Sequence, residues 1–199
     1  MKIGILGGTF NPIHMGHLLI AENALTQFSL DRVNFMPAFV SPFKLNENVL
    51  SGDLRAEMIN LSISDNERFF LDRREIDSNE VSYTYKTLTD MKQEFPNDEL
   101  FFIVGGDSLR TFKHWRNPEI ILEKAVILAA VRGTDNIESL NSYRDELMRL
   151  YNCDIRFLHT PMYDISSSDI RERIKNGQSV RYMLKDELID YILKNNIYK

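Results

Sequence analysis

A single doubly wound α/β domain, a mostly parallel sheet with helices on both faces, is what the pattern of these 199 residues predicts. Short apolar runs rich in β-branched and aromatic residues alternate with longer amphipathic stretches. The apolar runs are nearly continuous, as expected of strands covered on both faces of a parallel sheet. No repeat, linker or low-complexity tract divides residues 1–199, so they read as one unit.

The strand candidates are Ile3–Leu6, Val33–Met36, Phe69–Leu71, Leu100–Val104, Ala125–Val131 and Ile155–Leu158. Between them lie helix patterns at His17–Phe28, Leu54–Ile63, Thr84–Phe95, Pro118–Lys124, Leu140–Tyr151, Asp169–Lys175 and Asp186–Lys194. In the last of these, Leu188, Ile189, Ile192 and Leu193 form a helical stripe with charges opposite. Right-handed crossovers then place any ligand outside the carboxyl ends of the strands, at a switch in strand order.

Composition narrows the setting. There are 24 Lys and Arg against 29 Asp and Glu, a formal charge of −5, which disfavours a dedicated nucleic-acid binder. At 43% hydrophobic and 27% charged, the chain suits a packed globule. The lone Cys153 rules out an internal disulfide and a cysteine-rich metal site, and points to a reducing compartment. No apolar run reaches the roughly 20 residues of a spanning helix, and Met1–Gly8 reads as a first strand rather than a leader. The expected address is the cytoplasm, without a membrane or nucleic-acid partner; a homo-oligomer stays open.

The richest chemistry follows the first strand. Gly7-Gly8-Thr9-Phe10-Asn11-Pro12-Ile13-His14-Met15-Gly16-His17 runs from strand into helix. The helix start directs unpaired N–H groups and partial positive charge at the loop, an anion site. His14 and His17 share a face of the first turn and suit charge forming on a leaving phosphate. Neither the P-loop pattern nor a dinucleotide glycine fingerprint is present in this loop, and no third ligand near in sequence supports a metal. A second helix start, Ile165-Ser166-Ser167-Ser168-Asp169-Ile170-Arg171, offers caps, another anion site and a cation.

Lys44, after the second strand, supplies one more cation. Ser82-Tyr83-Thr84 opens a helix, Gly105-Gly106-Asp107-Ser108 ends a strand, Trp115 is the only tryptophan, and Arg132-Gly133 ends the next strand. A flat aromatic, helix-start donors and a carboxylate for ribose hydroxyls would suit a pyridine mononucleotide, its ring on Trp115 and its acidic group near Thr84.

With H-x-G-H at His14–His17 after G-G-x-F-[DN]-P, the chain resembles the nucleotidyltransferase superfamily; the serine run resembles its I-S-S-[ST]-x-[IL]-R motif. Asn11 stands where many members carry Asp, and Ser168 where one branch carries Thr. The order S-Y-T-x-x-T-L, G-G-D-S with a later W, V-R-x-G and I-S-S-S-x-I-R is similar to the bacterial nicotinate-nucleotide adenylyltransferases over nearly the whole chain. The resemblance implies a Rossmann-like nucleotidyltransferase fold and adenylyl transfer from ATP to nicotinate mononucleotide in NAD biosynthesis, with Mg²⁺ travelling on the ATP. It implies that Gly8, Thr9, Phe10, His14 and His17 hold ATP, with His14, His17 and Lys44 serving catalysis. Gly106 and Asp107 would hold the adenosine ribose, and Ser167, Ser168 and Arg171 the distal phosphates. Thr84, Trp115 and Arg132 would adjoin the nicotinate nucleotide. The alternatives are a phosphopantetheine adenylyltransferase, which the S-Y-T and G-G-D-S stretches fit poorly, and a non-catalytic nucleotide sensor on the same fold. A class I aminoacyl-tRNA synthetase would need a lysine loop and room for tRNA, neither of which is evident.

Overall fold

In the computed structural model, the described residues are 1–42, 49–131, 137–161 and 164–199. Six parallel strands form one sheet in the order β3-β2-β1-β4-β5-β6. They are β1 (Lys2–Gly8), β2 (Arg32–Pro37), β3 (Phe69–Leu71), β4 (Glu99–Gly105), β5 (Val126–Val131) and β6 (Ile155–His159). The order reverses between β1 and β4, so the switch point lies where β1 ends in Gly8 and β4 in Gly105.

The strand period of two sorts the side chains onto the two faces. Leu6, Phe35, Phe101, Ile103 and Leu128 pack beneath α1 (Met15–Phe28), α2 (Gly52–Ile63), α8 (Ser167–Lys175) and α9 (Asp186–Lys194). Ile3, Ile5, Phe102, Val104 and Ile127 pack beneath α4 (Thr84–Glu94), α6 (Pro118–Lys124) and α7 (Ile137–Tyr151) on the other face. Among the described residues there are also two short helices, α3 (Arg74–Asp77) and α5 (Gly106–Arg110), and a 3-10 turn at Phe112–His114.

Several boundaries differ from the sequence expectation for identifiable reasons. Helix α8 begins at Ser167, two residues early, because Ser166 accepts the Asp169 N–H on its hydroxyl and is the cap. Helix α1 begins at Met15, with His14 as its cap residue. The strand read at Ala125 starts at Val126, because Ala125 still closes α6 through the Ile121 carbonyl. In α9 only Leu188 and Ile192 are buried; Leu193 is half exposed, so its inward stripe is narrower than the sequence suggests.

The sheet edges are guarded by side chains. Phe70 on β3 is partly exposed but lies under the Arg32 guanidinium, 5.5 Å from the ring centre. On β6, the Gln27 amide donates to the His159 carbonyl (2.6 Å) and accepts the His159 N–H (3.1 Å).

Gly4 marks a close approach in the middle of β1. A β-carbon there would stand 2.9 Å from both Leu30 Cδ1 and Val33 Cγ2, two core side chains. Gly4→Ala is therefore expected to destabilise the fold by about 1–3 kcal/mol through overpacking. Urea unfolding measures this; an unchanged midpoint would show that the core yields at that point.

Candidate functional site

The segment 9–14 crosses from β1 to α1 without regular structure, bending through Phe10 (φ 49°) and a cis Asn11–Pro12 peptide. Phe10 is 2% exposed; its ring packs edge-on to His17 (centroids 5.0 Å) and tilted on Phe35. Any ligand contact from Phe10 therefore comes from its backbone, while its ring supports His17. The His14 and His17 rings stack at 3.7 Å. Gly16 permits this, since a β-carbon there would meet His14 Nδ1 at 3.1 Å.

The backbone N–H of His14 donates to His17 Nδ1 (3.2 Å). A neutral imidazole accepting at Nδ1 carries its proton on Nε2, so His17 presents an N–H donor. Burial lowers the His17 pKa well below the usual imidazole value, and the stacked His14 adds to the effect. His17 is thus a neutral donor at physiological pH rather than an imidazolium.

The second helix start comes to the same loop. The Ser167 hydroxyl donates to the Pro12 carbonyl (2.8 Å), and Arg171 Nη1 donates to the Asn11 carbonyl (2.8 Å). Ser168 shares a hydrogen bond with the cap hydroxyl of Ser166 (3.0 Å). The N-termini of α1 and α8 therefore converge on one turn, each with partial positive charge. Arg171 has further N–H donors beyond the one on Asn11.

Beside this turn, at the carboxyl ends of β1, β2 and β4, lies a cavity of about 210 Å³. Gly8, Thr9, Ser82, Thr84, Trp115 and Arg116 are among its lining residues. Trp115 stacks on Phe112 (5.0 Å) and meets Phe102 edge-on, so its indole is fixed from behind. The Arg116 guanidinium lies over the Tyr83 ring at 4.7 Å, joining two sides of the cavity. Gly106 is buried and Asp107 exposed at the start of α5, on the β4 side of the switch point.

Lys44 and Arg132 lie outside the described residues. Of the other expected residues, Phe10, His14, His17, Ser167, Ser168 and Arg171 gather at the converging helix starts. Gly8, Thr9, Thr84 and Trp115 line the cavity, and Gly106 and Asp107, at the start of α5, belong to neither group. Several further side chains were not anticipated. Arg55, 1% exposed, donates to the carbonyls of Leu50 (2.9 Å), Thr9 (2.8 Å) and Phe39 (3.3 Å). Its signal is periodicity: Arg55 falls on the same helical face as Met58, Ile59, Ser62 and Ile63. Glu75 accepts from the Thr87 hydroxyl (2.7 Å) and is bonded by Ser82; burial pushes its pKa up. Tyr198 donates to Asn11 Oδ1 (2.8 Å).

The cytidylyltransferase-like family model matches residues 5–173. The probable nicotinate-nucleotide adenylyltransferase of Lachnoclostridium phytofermentans is 41% identical, covering 99% of this chain and 98% of that protein. That of Dictyoglomus thermophilum is 40% identical over the full length of both. The chain belongs to the cytidylyltransferase-like family, among its nicotinate-nucleotide adenylyltransferases. The adenylyltransferase fold is shared with distant solved structures as well. The Plasmodium falciparum nicotinic acid mononucleotide adenylyltransferase complexed with NaAD superposes with a TM-score of 0.81 at 21% identity, covering 99% of this chain and 97% of that one. The same parasite enzyme complexed with APC gives 0.78 at 22% identity, covering 99% and 96%. Among the described residues of this adenylyltransferase, no group of three or more His, Cys, Asp or Glu is arranged to hold a metal ion. No helix among them is long and apolar enough to cross a membrane.

The depressed His17 pKa makes a stability prediction with a definite sign. Below about pH 6.5 the unfolded chain takes up a proton on this imidazole that the folded chain refuses. Stability should therefore fall as pH drops from about 6.5 towards 5, and the fall should be shallower in His17→Gln. Urea midpoints measured across that window check it; identical slopes would show that His17 does not carry the effect.

Proposed function

We propose that residues 1–199 form one nucleotidyltransferase domain that moves the adenylyl group of ATP to nicotinate mononucleotide. The products are nicotinate adenine dinucleotide and pyrophosphate, a step of NAD biosynthesis carried out in the cytoplasm. The observation that carries this reading is the convergence of the two helix starts on the Asn11–Pro12 turn, through Ser167 and Arg171. A triphosphate needs such concentrated donors, and a mononucleotide fits the adjoining cavity with its fixed tryptophan. The relatives named above support the choice of substrate.

ATP enters as its Mg²⁺ complex, the metal being part of the substrate. Its phosphates lie along Gly8, Thr9 and the α1 start, with Ser167, Ser168 and Arg171 on the distal groups and Lys44 adding charge. Gly106 and Asp107 take the adenosine ribose. The pyridine ring rests against Trp115, with its carboxylate at the α4 start near Thr84; Arg132 is assigned to the nicotinate nucleotide by the resemblance alone. The 5′-phosphate oxygen attacks the α-phosphorus in line, the bond to the bridging oxygen breaks, and pyrophosphate leaves. His14 and His17 meet the charge that develops, His17 through its Nε2–H as a neutral donor. Positioning and charge stabilisation do the work, without a covalent enzyme intermediate.

His17→Ala should lower kcat by about 10²–10³-fold while changing the KM for ATP little, as for loss of a preorganised donor. Steady-state rates of pyrophosphate release test this; a kcat within a factor of about three of the parent would remove His17 from the chemistry.

Nicotinate mononucleotide should be preferred over nicotinamide mononucleotide by roughly 5- to 150-fold in kcat/KM. A carboxylate gains charge-assisted bonds at a helix start, whereas the amide sets its NH₂ against donors it cannot satisfy. One pyrophosphate assay with ATP and each of the two mononucleotides, plus phosphopantetheine, decides among the readings. Turnover of phosphopantetheine alone would transfer the protein to the rival adenylyltransferases, and no turnover of any would favour a sensor.

A further inference from the structure

The polypeptide beyond α9 does not trail into solvent. Ile197 donates its N–H to the Ile192 carbonyl, and its side chain is buried at 7% exposure. Asn196 (φ 53°) and Tyr198 (φ 66°) flank it, both in the left-handed region that residues other than glycine occupy at a cost. Such conformations persist where surrounding contacts over-determine them. The result is to turn the Tyr198 ring inward against the core that carries α2 and α8.

Its hydroxyl donates to Asn11 Oδ1 at 2.8 Å, across 187 positions of sequence, with Met58 Sδ at 3.9 Å on the same oxygen. Asn11 is itself buried, and its backbone carbonyl takes the Arg171 hydrogen bond. The same residue is thus held at its side chain by the segment after α9 and at its backbone by α8. Burial keeps the phenol protonated far above its usual range, so it is always a donor here. Nothing in the proposed chemistry uses this hydroxyl, and Tyr198 is not among the residues lining the cavity.

We propose that Tyr198 is a positioning residue for ATP: through Asn11 it fixes the turn on which the two phosphate-binding helix starts converge. The inference rests on the adenylyl-transfer reading and adds a residue from a part of the chain that neither phosphate motif includes. Removing the hydroxyl leaves Asn11 held on one side only, so the loop samples more positions and ATP binding bears the cost. Loss of one neutral hydrogen bond corresponds to roughly 2- to 10-fold in affinity. The mononucleotide cavity, built largely from other loops, should notice little.

The test is Tyr198→Phe in the full chain, with ATP affinity by calorimetry, both KM values, and the melting temperature. The expected result is a weakening of ATP affinity by roughly 2- to 10-fold, an unchanged KM for nicotinate mononucleotide, and a melting temperature lowered by no more than about 4 °C. Asn11→Ala should give the same selective loss, and adding Tyr198→Phe to it should cost nothing more, since the pair acts as a unit. Should Tyr198→Phe fold poorly, Asn11→Ala alone keeps the question answerable from the acceptor side. A lower melting temperature with unchanged ATP affinity would make Tyr198 a brace of the fold and overturn the proposal. Equal losses for both substrates, or fully additive effects in the double variant, would overturn it too. If the parent protein does not bind ATP, the functional reading falls with it; if the parent binds and the variant binds equally, only this inference falls.

Discussion

A single buried guanidinium ties together the loops on which the site is built. Arg55 reaches the carbonyls of Thr9, Phe39 and Leu50, which belong to the turn after β1, the segment after β2 and the approach to α2. Placing a charge in the interior is costly unless its donors are met, and here they are met by backbone oxygens rather than by a carboxylate among the described residues. The arrangement keeps the cation's field while using its hydrogen bonds to shape loops. Burial pulls its pKa down, yet a guanidinium starts so high that it stays charged. Local positive potential under the Thr9 loop is therefore built into the scaffold.

The same economy recurs at Arg171. One of its N–H groups holds the Asn11 carbonyl, and the remaining donors of the planar fork are not consumed by that bond. On the proposed reading, a side chain that braces the turn would also meet phosphate, and so couple loop shape to ligand charge. His17 follows a related logic: the His14 backbone fixes its tautomer, Phe10 supports its ring, and neither contact uses Nε2. Rigid donors aimed in advance cost no reorganisation when charge develops.

Much of this architecture was legible in the residues because local and tertiary preferences agree. β1 is apolar on both faces, Ile3 and Ile5 against one layer and Leu6 against the other, and so reads as a buried parallel strand. Pro118 stands at the first turn of α6, where its missing N–H is harmless, and the helix is found where it was expected. The two motifs at the starts of α1 and α8 stood out because glycines, histidines and serines are concentrated at these helix starts. What stayed hidden depends on contacts between distant segments. Helices α3 and α5 are too short to carry a period, and form because neighbouring elements hold them. Arg55 looks like any helix charge until its apolar neighbours on the same face are noticed. Tyr198 carries no sequence signal, since its role depends on two left-handed residues and a partner far away along the chain.

The pairing of Gln27 with His159 bears on how copies of the chain can meet. An outer strand with vacant N–H and C=O groups is a template for another strand, and sheets of separate molecules can join there. At His159 both groups are already engaged by one side-chain amide, which imitates a rung of the ladder. A second chain approaching β6 at this end would first have to displace Gln27 from a two-bond contact. Self-association by sheet extension is thereby discouraged at the end of β6 nearest the ligand side, and a helix side chain does the work that an additional strand would otherwise do.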